Sequence, residues 1–416
     1  MLTVLFTLSL LAVWLPHVSL LDNGLAKTPP MGWMSWAQFY CEIDCLHHPY
    51  SCISEDLYME MATRLVEDGY KDVGYNSIHI DDCWLEMNRS ADGKLVADRV
   101  RFQSGILALS NYMHERGLKL GLYEDYGTKT CAGYPGSYGY MEMDANTFAE
   151  WGVDYFKFDG CNMDAEKIPQ GYKEMSAWIN KTGHSMVYSC EWPLYLLVNN
   201  KTVDYAEVSN YCNLWRNYYD VSASWNSIQS IINFFDLNQD QLIPVTGPGR
   251  WNDPDMIVVG QNSITPDQSR TQMSIWSIWS APLIMSNDLR LIAPVYKEIL
   301  QNRRVIAIDQ DPLGKMGRLV VNTTNVAVYV KPVTPTDENS SQSSFAVVIF
   351  NRHFKSSAKV TVRLNEIGLI NSAGYFVQDL WNEEKRGIML PDDQYIADVP
   401  PTGVNMFKAT LTQADF

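Results

Sequence analysis

From about residue 30 to residue 300 the chain repeats one rhythm: a short apolar run of β-forming residues, a turn, then a helical pattern. Strands and helices alternating in this way build a parallel sheet with crossover connections. Candidate strands fall at Met31–Trp36, Ile78–Asp82, Leu118–Asp125, Tyr155–Asp159, Met186–Glu191, Tyr205–Ser209, Ile243–Pro248 and Leu283–Asn287. Eight such units predict an α/β fold, a (β/α)8 TIM barrel, in which polar residues at the C-terminal ends of the strands form the site. The helices carry their own punctuation. Ser54 precedes an acidic first turn and the stripe Leu57, Met61, Leu65, and Gly69 stands where a C-terminal cap is wanted. Thr265-Pro266-Asp267-Gln268 offers an N-cap, a proline at the first helical position and a capping-box glutamine, opening a helix through Ile275 and Trp279. Ile106 to Gly117 behaves similarly.

Asp311-Pro312-Leu313-Gly314 ends the rhythm. Beyond it strand alternation continues without helices, as in Val326–Lys331 and Phe345–Asn351, split by a polar loop from Pro332 to Ser344. The expected organisation is a signal peptide over 1–20, a catalytic barrel over 21–314 and an antiparallel β-sandwich domain over 315–416. The signal is the apolar stretch 2–15, too short to span a bilayer in comfort and followed by His17, Val18 and Ser19. Its n-region lacks Lys and Arg, which leaves an uncleaved anchor as the alternative; no other apolar run is long enough to span.

Composition narrows the partners. The formal charge of −16 leaves no excess of Lys and Arg for phosphates, so nucleic acid is excluded and a neutral sugar fits better. Self-repulsion also falls as pH drops towards the sequence pI of 4.8, which suits an acidic compartment. All eight cysteines lie in the first half, and their even number fits oxidised pairs in a secreted chain. The paired C-x2-C spacings of a zinc site are absent. Sequons at Asn88, Asn180, Asn200, Asn322 and Asn339 agree with passage through the secretory pathway.

The expected strand ends are rich in acids: Asp81-Asp82-Cys83-Trp84, Tyr123 with Asp125, Lys157-x-Asp159, Glu191-Trp192 and Asp253-Pro254-Asp255-Met256. Lys157 and Asp159 are two apart on one strand and share a face, where the ammonium favours the ionised carboxylate that a nucleophile needs. A barrel-core ion pair would present the same pattern. Asp220 follows Arg216-Asn217-Tyr218-Tyr219; spacing alone reads it as a loop acid or a helix cap. Adjacent Asp81 and Asp82 lack the alternate spacing and turn glycine of oxygen-ligand metal loops, so no metal is expected. Trp33, Trp36, Trp84, Trp192 and Trp251 gather at the same ends, where an aromatic face stacks on a pyranose or simply packs the core.

Leu21-Asp22-Asn23-Gly24-Leu25-Ala26, Met31-Gly32-Trp33, Asp81-Asp82-Cys83-Trp84, Lys157-Phe158-Asp159-Gly160-Cys161, Cys190-Glu191-Trp192-Pro193 and Trp251-Asn252-Asp253-Pro254-Asp255-Met256 resemble glycoside hydrolase family 27 in register from about Leu21 to Gly317. That resemblance implies a lysosomal or secreted retaining α-galactosidase with no cofactor, in which Asp159 is the nucleophile and Asp220 the general acid/base. Asp81, Asp82 and Lys157 would bind the 4- and 6-side hydroxyls, Arg216 and Asp255 the 2- and 3-side hydroxyls, and Trp36, Tyr123 and Met256 would shape the wall. Acetamido-sugar members resemble Ser-Trp-Pro-Ala where this chain has Glu191-Trp192-Pro193-Leu194-Tyr195; the bulk of Glu191 and Leu194 favours galactose over N-acetylgalactosamine. The resemblance also implies the disulfides Cys41–Cys83, Cys45–Cys52, Cys131–Cys161 and Cys190–Cys212, and a homodimer. Two other functions stand beside it: an α-N-acetylgalactosaminidase or dual-specificity enzyme, and an inert galactoside-binding barrel, against which the joint presence of Asp159, Asp220, Lys157 and Arg216 argues.

Overall fold

The computed structural model describes residues 23–337 and 342–412. The expected signal peptide and Asn339 lie outside the described residues. Eight parallel strands, β1 (Met31–Met34), β2 (Ser77–Ile80), β3 (Lys119–Asp125), β4 (Tyr155–Asp159), β5 (Val187–Cys190), β6 (Leu214–Arg216), β7 (Trp251–Asp253) and β8 (Leu283–Met285), run in the order β7-β6-β5-β4-β3-β2-β1-β8. The ring closes just past β7. Ile257 bridges Met285 in parallel, its amide donating to Ile284 O at 2.7 Å while the Ser286 amide donates to Ile257 O at 2.8 Å. Positive φ at Asp255 (78°) turns the chain between β7 and this bridge, a conformation Asp tolerates better than most residues.

Two expected strands are corrected. Tyr205–Ser209 is a short helix, Tyr205–Val208, because the Asp204 side chain accepts from the Glu207 amide and caps it; β6 comes later, where Leu214 registers with Ser189 of β5. Ile243–Pro248 begins as a 3-10 turn, Ile243–Val245, that finishes the long helix Trp225–Leu242, so its apolar side chains pack as a helix end. Strands six and seven have three residues each, too few for periodicity to mark.

Helix Glu55–Glu67 buries Leu57, Met61 and Leu65 and stops before Gly69 at φ +84°, the left-handed stop that glycine supplies. Ser54 adopts an extended cap conformation, but its hydroxyl donates to Cys52 O instead of capping. Thr265 and Gln268 form the full capping box of helix Pro266–Trp279. This helix is buried almost all round because the second domain covers its outer face.

That domain has a six-stranded antiparallel sheet, in order Lys385–Met389, Tyr375–Asp379, Val404–Leu411, Gln342–Asn351, Val326–Asp337 and Arg318–Asn322, packed on a two-stranded sheet, Ala358–Arg363 with Gln394–Val399. Alternation sorts its two faces. Val328, Val330, Val347 and Ile349 enter the sandwich core, whereas Ala327, Tyr329, Ala346, Val348 and Phe350 join the barrel's core. Most of the expected polar loop 332–344 is strand: Pro332 registers with Phe345, and the shift between Val333 and Thr336 absorbs the prolines. Among the described residues no helix is long and apolar enough to cross a membrane.

Candidate active site

The chain pairs its cysteines Cys41–Cys83, Cys45–Cys52, Cys131–Cys161 and Cys190–Cys212. Three of these bridges clamp loops at the C-terminal ends of barrel strands, and between those loops lies a cleft of about 280 Å³. Trp36, Asp81, Asp82, Tyr123, Lys157, Asp159, Glu191, Leu194, Tyr195 and Asp220 all line it. A larger depression of about 600 Å³ lies on the barrel's flank by Tyr112 and Arg290. Its cations are already engaged, Arg64 with Glu67 and Arg290 with Glu60.

Asp159, the last residue of β4, accepts from three donors: the Tyr195 hydroxyl on Oδ1 at 2.5 Å, the Gly160 amide on Oδ1 at 2.8 Å and the Tyr123 hydroxyl on Oδ2 at 2.9 Å. Lys157 shares the face of β4 with Asp159, as the two-residue spacing requires, but its direct partners are Asp81 at 2.9 Å and Glu191 at 3.4 Å. Burial works against the ammonium, yet Asp81, Glu191 and Asp159 together hold its pKa well above the usual value. Lys157 therefore stays charged on the floor of the cleft. Burial also pushes Asp82 up to about 6, although it accepts from the Cys83 amide at 2.6 Å and the Ala132 amide at 2.9 Å.

Glu191 follows β5 and heads the helix Trp192–Val198, which presents Leu194 and Tyr195 to the cleft. It is buried, and its Oε1, 3.4 Å from Lys157 and 3.6 Å from Arg216, has no hydrogen-bond partner among the described residues. Desolvation, reinforced by the Asp159 charge, raises its pKa well above the carboxylate range despite Lys157 and Arg216.

Arg216, the last residue of β6, is buried between Asp220 at 2.9 Å and Asp255 at 3.1 Å. Asp255 also accepts from the Val221 amide at 2.7 Å, tying the end of β7 to the loop that carries Asp220. The Asp220 side chain is 58% exposed. Partial desolvation would raise it, but the Arg216 and Lys157 cations prevail and hold it below the usual carboxylate range. Arg216, Asp255 and Met256 are themselves buried.

Cys131, Cys161, Val198 and Tyr219 also line the cleft. The two cysteines carry a signal, since Cys161 follows Asp159 by two residues and pairs with Cys131; Cys131 Sγ is 3.2 Å from Asp159 Oδ2. Tyr219 was visible only as the neighbour of Asp220, and nothing in the sequence marked Val198. Asp125, Cys131, Asp159 and Cys161 bring four candidate ligand atoms within 4.8 Å, but both sulfurs are committed to one disulfide, so there is no thiolate for a metal.

Several carboxylates around a small cleft at the mouth of a (β/α)8 barrel are an arrangement that glycoside hydrolysis can use. Residues 28–311 match the family described as Alpha galactosidase A, and residues 323–409 match the Alpha galactosidase C-terminal beta sandwich domain. The chain is 46% identical over 410 residues to Alpha-galactosidase A of Homo sapiens, covering 97% of this chain and 94% of that protein. It is equally 46% identical over 399 residues to Alpha-N-acetylgalactosaminidase of Gallus gallus, covering 94% and 97%. The structure of alpha-galactosidase I from Mortierella vinacea superposes with a TM-score of 0.81 at 30% identity, covering 94% of this chain and all of that one. The chain belongs to glycoside hydrolase family 27, the family of α-galactosidases and α-N-acetylgalactosaminidases.

Proposed function

We propose that the chain removes terminal α-linked galactose from glycolipids, oligosaccharides or glycoproteins by double displacement, with Asp159 as nucleophile and Asp220 as general acid/base. The observation that carries this reading is one cleft of about 280 Å³ with Asp159 buried within it and Asp220 exposed on its rim. Asp159 attacks the anomeric carbon as the bond to the leaving oxygen breaks, and Asp220 gives that oxygen its proton. Asp220, now ionised, takes a proton from water, whose oxygen attacks the same carbon and releases Asp159; two inversions leave α-galactose. Asp125 sits close to Asp159, but it is fully buried, accepts from the Cys161 amide at 2.9 Å, and cannot reach a leaving group. Because Arg216 keeps Asp220 ionised in the free protein, its proton is populated in acid, and activity should decline as pH rises.

Equal identity to both kinds of relative does not choose the sugar. The buried pair Glu191 and Leu194 supports galactose: their bulk would leave little room for an acetamido group at carbon 2, and Glu191 Oε1 can accept from a hydroxyl there. Sequons at Asn88, Asn180, Asn200 and Asn322 sit on exposed residues, which suits a glycosylated protein of the secretory pathway, delivered to the lysosome or secreted. A homodimer completes the proposal.

Proton NMR of the first-formed sugar tests the mechanism. The α anomer should appear first, and Asp159→Asn should abolish turnover with the fold intact; initial β-galactose, or near-normal activity in that variant, would overturn the assignment.

A further inference from the structure

The cleft is polarised along its depth. Asp81, Asp82, Tyr123, Lys157 and Glu191 form its buried end, whereas the exposed side chains lining it are Cys131, Val198, Tyr219 and Asp220. An exo-acting site holds the terminal sugar at the closed end, so the leaving group must pass through the open one. Asp220 has to reach the leaving oxygen, and Tyr219 is its immediate chain neighbour.

Tyr219 is 59% exposed and Val198 39%. These two are the exposed apolar side chains of the cleft. The Tyr219 ring does not hang free: it meets Tyr218 edge-on at 5.1 Å, and Tyr218 stacks at 4.9 Å on Phe234 of the helix Trp225–Leu242. A phenol ring propped in this way, with the rest of its surface in solvent, is an amphipathic platform of the kind that receives the C–H face of a pyranose.

We propose that Tyr219, with Val198, forms the leaving-group subsite, and that this subsite takes a second hexose by stacking its apolar face on the Tyr219 ring. Tyr219 then favours galactosides with a sugar aglycone over those with a small alkyl aglycone. The inference rests on the reading that Asp220 protonates the leaving oxygen, because that reading fixes which end of the cleft the aglycone occupies. It adds a specificity determinant that the acids at the closed end do not supply.

The test compares melibiose, an α-galactosyl-glucose, with methyl α-galactoside, whose aglycone has no ring face to stack. In Tyr219→Ala the ratio of kcat/KM for melibiose to that for methyl α-galactoside should fall about tenfold, the upper end of what one aromatic contact contributes, mostly through KM. Tyr219→Phe should keep the wild-type ratio. An unchanged ratio in Tyr219→Ala overturns the proposal, as does an equal fall in Tyr219→Phe, which would assign the effect to the hydroxyl. Because Tyr219 is largely exposed, neither variant threatens folding. Wild-type protein that cleaved neither galactoside would overturn the galactosidase reading itself and the inference with it.

Discussion

Tyr195 donates its phenolic proton to Oδ1 of Asp159 across 2.5 Å, with the Gly160 amide on the same oxygen and Tyr123 on the other. Burial first, and then the negative charge of Asp159 and Glu191, raise the Tyr195 pKa, so the phenol keeps the proton it donates. Tyr195→Phe keeps the ring and removes one donor from a charged acceptor, a bond of roughly 1.5–3 kcal/mol. We expect kcat to fall about tenfold to a hundredfold with an unaltered circular dichroism spectrum. An unchanged kcat would show that Gly160 and Tyr123 suffice to orient the carboxylate.

Asp220 invites a separate experiment, because the acid and base roles proposed for it are separable by leaving group. Asp220→Ala should lower kcat/KM for melibiose by about 10²–10⁴-fold, the usual contribution of general acid catalysis. α-Galactosyl fluoride departs without a proton, so formation of its glycosyl-enzyme should lose far less, which pre-steady-state release of fluoride would report. Equal losses on both substrates would mean that the variant damages binding or Asp159 instead.

Buried acids predict the pH dependence of stability. Burial pushes Asp82, Asp236 and Asp253 up to about 6 and raises Glu124 and Asp309 well above the usual range. A carboxyl whose folded pKa exceeds its unfolded value of about 4 stabilises the fold below that value, and this stability is lost as pH rises through the folded pKa. His79 runs the other way, since burial lowers it to about 3 and the unfolded imidazole gains a proton below about pH 6.5. Five carboxyls outweigh one imidazole. Asp220, held low, acts only below about pH 4. Tm at pH 5 should therefore exceed Tm at pH 7.5. Glu124 isolates the effect, because its buried oxygens make no full hydrogen bond among the described residues and only the Asp125 amide and Arg89 ease its charge. Glu124→Met should raise Tm more at pH 7.5 than at pH 5; an equal shift at both would remove Glu124 from this account.

What was legible in the sequence follows the length of the signal. β3, β4 and the capped helix Pro266–Trp279 span enough residues for periodicity and end chemistry to agree. β6 and β7 do not: they exist because Ser189 and Leu214 provide neighbouring backbone to pair with, which is tertiary information. Asp220 shows the same limit at the level of the site. Spacing alone gave it the bland reading of a loop acid, and only the family resemblance gave it chemistry. The geometry adds what neither could, namely Arg216 gripping Asp220 from beneath while Asp255 holds the Val221 amide beside it. Val198 reaches the cleft only because a helix begins at Trp192, so no local pattern could have marked it.

The proposed choice of sugar gives the sharpest expectation, because it places selectivity on two side chains. Glu191 and Leu194 lie on one helical turn and both line the cleft, at 2% and 8% exposure. Glu191→Ser with Leu194→Ala would open the space proposed to face carbon 2, and would remove the carboxyl proposed to accept from a 2-hydroxyl. The double variant should reverse the preference between the two p-nitrophenyl substrates, losing activity on the α-galactoside and gaining it on the α-N-acetylgalactosaminide. Steric exclusion dominates this choice, so Leu194→Ala alone should admit some of the acetamido substrate; Glu191→Ser alone should mainly weaken galactose. Removing Glu191 also takes one carboxylate from Lys157 and Arg216, which keep Asp81 at 2.9 Å and Asp255 at 3.1 Å respectively, so the floor of the cleft should persist. Wild-type protein that already prefers the acetamido substrate, or a double variant with unchanged preference, would show that the sugar is chosen elsewhere in the cleft.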